Sequence, residues 1–165
     1  MTVKNTVIPL IFSLTLAVAS SSLNADGGDT TEGSTGAAGN GGWNKTPPHL
    51  IDSKKRLALE DYQGALNLLQ AAMADHPNDA DVMNLTGFSY RKLGEFKQAL
   101  QYYEKALALD PKHKGALEYL GELYLQTDQP ELAQVQLARL KKLCTFCRER
   151  KMLSKAIRKY RKENG

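Results

Sequence analysis

The stretch ADVMNLTGFSYRKLGEFKQALQYYEKALALDPKH, residues 80–113, decides the fold of this chain, because its pattern recurs on either side at a fixed interval. The clearest mark of this interval, about 34 residues long, is the alanine found at Ala65, Ala99 and Ala133. Other residue types recur at the same interval: Gly87 with Gly121, Tyr90 with Tyr124, Ala72 with Ala106, and Pro77 with Pro111. A repeat of this length predicts a stack of small helical units that bury surface against their neighbours, rather than one enclosed core.

Each unit has the apolar spacing of two helices, and prolines mark the ends of the first two units. The second stripe of the first unit runs from Ala65 to Met73 and stops at Pro77, which cannot continue a helix and restricts the residue before it. In the third unit Pro130 opens the second helix, where a proline is tolerated. We therefore predict an all-α fold of three helix pairs, in units 46–79, 80–113 and 114–147.

This pattern resembles the tetratricopeptide repeat, most closely in residues 80–113. The residues that carry the resemblance are Thr86-Gly87, Tyr90, Gly94-Glu95-Phe96, Ala99, Tyr103, Ala106 and Leu109-Asp110-Pro111. The resemblance implies an α-solenoid in which small residues let paired helices cross closely while large residues fill the gaps. In this chain Gly87 and Ala99 would form such a close-contact pair.

The resemblance is uneven along the segment from Thr46 to Cys144 that it covers. The third unit keeps several of the marked columns. The first helix of the first unit departs from the pattern, with Ser53 and Arg56 where glycine and tyrosine are expected. An atypical terminal unit is usual in such arrays, because its outer face meets water. Weak self-association through this first unit is a further expectation.

Residues 148–165 follow the last unit and carry one more helical stripe, formed by Met152, Leu153, Ala156, Ile157 and Tyr160. The opposite face of this segment is rich in lysine and arginine. We expect it to be a basic capping helix that covers the exposed apolar face of the third pair.

The start of the chain has the features of an export signal. Lys4 precedes an apolar run from Thr6 to Ala19, so residues 1–25 predict a signal peptide cleaved after Ala19 or Ala25. An uncleaved membrane anchor is the alternative. Residues 26–45 are rich in glycine, serine and threonine, which predicts a flexible linker. We therefore expect an exported protein, in the periplasm of a Gram-negative bacterium.

The resemblance also implies a concave groove lined by the first helix of each unit. There an extended peptide would be held by side-chain amides and charges, with basic residues at one end and acidic residues at the other. The alternative is that these charges are simply solvated. The predicted groove residues are Lys54, Asn84, Phe88, Arg91, Lys92, Glu118, Glu122 and Gln126.

The two cysteines, Cys144 and Cys147, have C-x-x-C spacing and lie where the last unit ends. Export into an oxidising compartment favours a disulfide between them. A redox-active pair is the second interpretation, because neighbouring lysines and arginines would lower a thiolate pKa. The third interpretation, a metal site, needs further ligands, and we predict no metal or cofactor.

Positive charge is concentrated at the end of the chain. Residues 139–165 hold eleven lysines and arginines against two glutamates, a balance of +9 in a chain whose net charge is +4. Such a surface can dock on anionic lipid or another polyanion, although a solvated helix face is the simpler interpretation. We do not expect nucleic acid as a partner, because aromatic residues are sparse in this segment.

No catalytic pattern is present: the sequence lacks a serine–histidine–aspartate spacing, a phosphate-binding glycine loop and a histidine–glutamate metal helix. We therefore predict a non-catalytic scaffold in the cell envelope that binds a protein or peptide. The alternatives are a thiol–disulfide redox protein that uses the C-x-x-C pair, and docking on a polyanion or anionic membrane through the basic C-terminal helix.

Overall fold

A computed structural model of the chain describes residues 48–164, which form seven α-helices and no strand. The helices are α1 Pro48–Ala58, α2 Tyr62–Asp75, α3 Ala80–Lys92, α4 Phe96–Leu109, α5 Lys114–Gln126, α6 Pro130–Leu143 and α7 Arg148–Asn164. The predicted all-α fold of three hairpins with a following helix is confirmed. The predicted signal peptide (1–25) and linker (26–45) lie outside the described residues.

The helices pack as a linear stack. Within hairpins α1 packs on α2, α3 on α4 and α5 on α6, while α2 contacts α3, α4 contacts α5, and α7 contacts both α5 and α6. Buried apolar side chains form four local clusters between successive helices. This arrangement is the one expected when each unit buries its surface only against its neighbours.

The repeat is visible in the backbone as well as in the side chains. The turn within each hairpin contains one residue with left-handed φ, and these are Glu60 at 59°, Gly94 at 83° and Asp128 at 58°. The three lie one repeat period apart, so each hairpin turns in the same way. Only glycine adopts this conformation without a steric penalty, so the turns at Glu60 and Asp128 are strained relative to that at Gly94.

Small residues set the close crossing of the paired helices. A Cβ added to Gly87 would lie 2.8 Å from the Tyr103 ring and 3.2 Å from the Ala99 carbonyl oxygen. The expected close contact of Gly87 with Ala99 is therefore confirmed. Ser53 takes this position in the first unit, where it is fully buried and its hydroxyl donates to the Leu50 carbonyl at 2.8 Å. The first unit thus keeps a small residue despite departing from the pattern.

Helix α7 closes the stack, as predicted. Leu153 and Ile157 are buried in a cluster with side chains of α5 and α6, and the Tyr160 hydroxyl donates to the Asp128 carboxylate in the preceding hairpin turn. A Cβ on Gly121 would lie 2.6 Å from the Leu153 methyl groups, so a larger residue here would displace the Leu153 side chain. Among the described helices, none has both the length and the apolar character needed to cross a membrane.

Corresponding residues flank each turn between units, and the same spacing extends to the start of α7. His76, Asp110 and Cys144 cap the C-termini of α2, α4 and α6, and Asp79, His113 and Cys147 directly precede α3, α5 and α7. In the first two turns the later residue donates its backbone N–H to the carbonyl of the earlier one, at 3.3 and 3.1 Å. Helix α7 therefore occupies the place of the first helix of a fourth unit.

Candidate functional site

The first-position helices α1, α3, α5 and α7 present one repeating face. Lys54, Phe88, Glu122 and Ala156 follow one another at the interval of the repeat, so they share a column on this face. A depression of about 260 Å³ lies between α3, α5 and α7. Its lining residues are Arg91, Glu122, Leu125, Gln126, Ala156, Lys159, Tyr160 and Glu163. Sequence reasoning treated α7 only as a cap and missed this lining role.

Arg91 is the most highly connected side chain of this face. It is only 6% exposed, and its Nη2 lies 2.8 Å from a Glu122 carboxylate oxygen. Its Nη1 donates to Gln126 Oε1 at 3.1 Å, and its Nε donates to the Tyr103 hydroxyl at 3.3 Å. Arg91 and Glu122, which the expectation placed at opposite ends of the groove, therefore bind each other across adjacent units.

An aromatic layer surrounds this ion pair. The Phe88 ring lies between those of Tyr62 and Tyr119, with centroid separations of 6.2 and 4.9 Å. The Arg91 guanidinium carbon is 5.5 Å from the Phe88 centroid and 5.7 Å from that of Tyr119, within the range of cation–π attraction. The layer gives the face an apolar floor with a fixed positive group.

Glu118 lies one turn before Glu122 on α5 and is only 4% exposed. Among residues 48–164 its carboxylate forms no ion pair at salt-bridge distance, and Arg91 instead pairs with Glu122. Burial, reinforced by the negative charge of Glu122, raises the pKa of Glu118 to about 7, while Arg148 and Arg91 act in the opposite direction. Its ionisation is therefore poised near neutral pH.

Asn84 occupies the position of Glu118 one unit earlier and is 5% exposed. Its Oδ1 is buried without a hydrogen-bond partner in the described part of the chain. A Cβ added to Gly115 would lie 3.3 Å from Asn84 Nδ2, so the amide packs against the first turn of α5. A buried acceptor left without a donor is destabilising and uncommon in folded proteins.

A second polar link, between Asp81 and His113, was not predicted. His113 Nε2 lies 2.9 Å from Asp81 Oδ1, and His113 Nδ1 accepts from the Ala116 backbone N–H at 3.0 Å. This hydrogen bond lowers the pKa of Asp81 and raises the pKa of His113. Lys54 adds a weaker electrostatic effect on Asp81. The signal in the sequence was the cap position of His113, one repeat period after Asp79.

Besides the buried Asn84 and Glu118, the predicted groove residues fall into two groups. The structure brings Phe88, Arg91, Glu122 and Gln126 into direct contact with one another or with shared neighbours. Lys54 and Lys92 remain exposed at the surface, with Lys92 Nζ 5.4 Å from the Tyr62 ring centroid.

The C-x-x-C pair lies at the third turn between units. The Sγ atoms of Cys144 and Cys147 are at disulfide distance, with their Cα atoms 5.7 Å apart, which supports the predicted pairing. Arg150 donates from Nη1 to the carbonyl oxygens of Cys144 and Thr145. Phe146 projects from this turn and is 96% exposed. The described residues contain no group of three or more His, Cys, Asp or Glu that could hold a metal ion.

Comparison with known proteins identifies the repeat. Two models described as tetratricopeptide repeat match residues 55–112 and 90–143. The Arabidopsis thaliana protein CTR9 homolog is 30% identical over 81 residues, which are 49% of this chain and 7% of that protein. The chain spans less than half the length of the curated relatives it matches.

Two solved structures share the fold at low sequence identity. The first TPR of Spaghetti (RPAP3) bound to HSP90 peptide SRMEEVD has a TM-score of 0.62 and 18% identity, covering 70% of this chain and 89% of that one. The type III secretion chaperone SycD of Yersinia enterocolitica, in complex with a peptide of the translocator YopD, has a TM-score of 0.61 and 16% identity, covering 71% and 92%. At these identities the likeness concerns the fold alone.

Proposed function

Because the chain belongs to the tetratricopeptide repeat family, we propose that it is a non-catalytic scaffold that binds an extended segment of a partner protein along the face of α1, α3, α5 and α7. The observation that carries this proposal is the continuous face itself, with Lys54, Phe88, Glu122 and Ala156 in one column. The peptide complexes of the two structural neighbours give the proposal further support.

The chemistry of the face suits an extended peptide. Phe88 and Tyr119 supply an apolar floor for one side chain of the peptide. Gln126 accepts from Arg91 through Oε1, so its Nε2 can donate to a peptide carbonyl. Lys159, which lines the same depression, can do the same from α7. The Arg91–Glu122 pair fixes the distance between adjacent units, which sets the spacing of these contacts.

Site-specific photo-crosslinking tests the proposal. A benzophenone amino acid is placed at Lys92 or Lys159 on the proposed binding face, and at Lys97 on α4 as the matched control, because all three side chains are exposed. We expect the two groove positions to capture the same partner segment and Lys97 to capture none of it. Capture from Lys97 alone, or unrelated products from the two groove positions, contradicts the proposed face.

The cell envelope is the location that we propose for this binding. The support is the apolar run from Thr6 to Ala19, which lies outside the described residues. Cell fractionation with an antibody against residues 130–143 tests it. Recovery with the periplasmic fraction is expected, and recovery with a cytosolic marker contradicts it.

A second candidate function is docking on an anionic membrane surface, and one observation favours it. Phe146 is almost fully exposed beside Arg150, Lys151 and Arg158, which line one surface depression with it. An aromatic ring among cations suits the membrane interface, where the ring enters the headgroup region and the cations meet phosphates.

Vesicle sedimentation tests this second function. Binding to vesicles with 30% phosphatidylglycerol should fall several-fold for Phe146→Ser or for Lys151→Glu with Arg158→Glu, and it should weaken at high salt. Lys97→Glu with Lys105→Glu on α4 is the control of equal charge change. Equal binding to neutral phosphatidylcholine vesicles removes this candidate.

A further inference from the structure

Two buried polar side chains, Asn84 and Glu118, occupy the same position in consecutive units. Asn84 and Glu118 are one repeat period apart, and both are more than nine-tenths buried. Asn84 Oδ1 has no hydrogen-bond partner, and the Glu118 carboxylate has no ion pair within residues 48–164. Burying a polar group without a partner is unfavourable, so a bound donor would relieve the penalty at Asn84 Oδ1, and a positive donor would also compensate the Glu118 carboxylate.

The charges around Glu118 show which donor fits. The charged groups that act on it are Glu122, Arg148, Glu149 and Arg91, with the Tyr119 hydroxyl beside them. Arg91 is engaged by Glu122 at 2.8 Å. Of the remaining charges, Arg148 alone is positive, against the carboxylates of Glu118 and Glu149. The surroundings of Glu118 therefore lack one positive charge, and they disfavour an acidic ligand.

We propose that this face recognises a lysine or arginine side chain of the bound peptide, which ion-pairs with the Glu118 carboxylate and donates a further hydrogen bond to Asn84 Oδ1. The inference rests on the proposed peptide-binding function and specifies its ligand class. An ammonium or guanidinium group carries several donors and no acceptors, so it suits a carboxylate together with an amide oxygen. A neutral amide would leave the carboxylate charge uncompensated.

This recognition is coupled to pH. The bound cation favours ionised Glu118, whose pKa is about 7 without ligand, so binding at low pH must first release a proton. The ionised fraction rises from about a tenth at pH 6 to about nine-tenths at pH 8, so affinity should rise about ninefold over that range. The hydrogen bond to Asp81 also raises the pKa of His113, so the contribution of this histidine needs its own control.

The test selects a random library of ten-residue peptides on the immobilised full chain at pH 8. The strongest binder is then synthesised with each lysine or arginine replaced in turn by glutamine or glutamate. Affinities are measured at pH 6, 7 and 8 for the wild type, Glu118→Gln, His113→Gln and Glu104→Gln. Glu104, exposed on α4, is the matched control.

We expect binders enriched in lysine and arginine, with one cationic position whose replacement by glutamine weakens wild-type binding at least tenfold. Glu118→Gln should remove both that discrimination and the pH dependence, while Glu104→Gln and His113→Gln retain them. Neutral or acidic binders, or unchanged discrimination by Glu118→Gln, overturn this inference and leave the proposed function standing. A library without any binder overturns both.

Discussion

The side chains of Arg91 and Glu122 meet at 2.8 Å although they belong to consecutive units of the stack. The arginine is nearly inaccessible to solvent and also donates to Gln126 and Tyr103, so a single guanidinium joins three elements. A charge in this position is stabilised only while its partners remain, because desolvation opposes it. The Arg91–Glu122 pair therefore has a structural role, which is to hold consecutive units of the groove together.

Replacing Arg91 with methionine should lower the free energy of unfolding by about 2–4 kcal/mol, since Glu122 and the Tyr103 hydroxyl lose their partner. Lys92→Met, which changes an exposed neighbour, should change it by less than about 0.5 kcal/mol. Urea titrations followed by circular dichroism give both values. Similar losses in the two variants would show that the buried pair has no special role in stability.

Stability should fall as pH rises from about 5 to 8. The folded pKa of Glu118 is about 7 against 4.5 in the unfolded chain, so the folded state binds more protons across this window. The contribution is fully present below 4.5 and is lost as pH passes 7. The raised pKa of His113 acts with the same sign. The denaturation midpoint should depend less on pH in Glu118→Gln, and still less when this change is combined with His113→Gln. An unchanged dependence of the midpoint on pH contradicts the assignment.

The left-handed turn residues allow a paired test of backbone strain. Glu60→Gly should raise the free energy of unfolding by up to about 1 kcal/mol, because glycine relieves the positive φ at a cost in unfolded-state entropy. Gly94→Ala should lower it by about 1 kcal/mol, since a Cβ there meets no atom within 4 Å and only the backbone conformation is penalised. Thermal denaturation measures both, and shifts of the same sign would rule out the explanation.

The approach of α7 to α5 can be tested through Gly121 and Leu153. Gly121→Ala should destabilise the chain by about 1–3 kcal/mol, because the new methyl overlaps the buried Leu153 side chain. In a Leu153→Ala background the same change should be nearly neutral. Gly115→Ala, whose nearest contact would be 3.3 Å, is the control. Additive effects of the two substitutions would place the strain elsewhere.

The sequence predicted the helical stack well, because the period of the repeat acts on both packing and turns. Gly87 and Ala99 marked a close crossing that the structure contains. Ser53 differs from the glycine of the pattern, yet it is buried at the glycine position, because its small side chain bonds to its own helix. The repeat therefore requires a small side chain at this position, and not glycine in particular.

The groove was predicted less well, because the charge that it presents to a ligand depends on which charged side chains pair with each other. Placing Arg91 and Glu122 on one face did not reveal that they bind each other, because side-chain pairing across units depends on the distance between helices. The lining role of α7 was missed because its apolar positions differ from those of earlier units. Its register was nevertheless readable, because Cys147 lies one full period after His113.

The bond between Cys144 and Cys147 distinguishes the turn before α7 from the two earlier turns between units. The corresponding turns at residues 76–79 and 110–113 are each closed by one backbone hydrogen bond, whereas the turn before α7 is closed by a bond that tension on the chain does not break at comparable force. Under load along the chain, the turn between α6 and α7 should therefore stay closed after the turns at 76–79 and 110–113 have opened. Reduction of the cysteine pair should remove this difference.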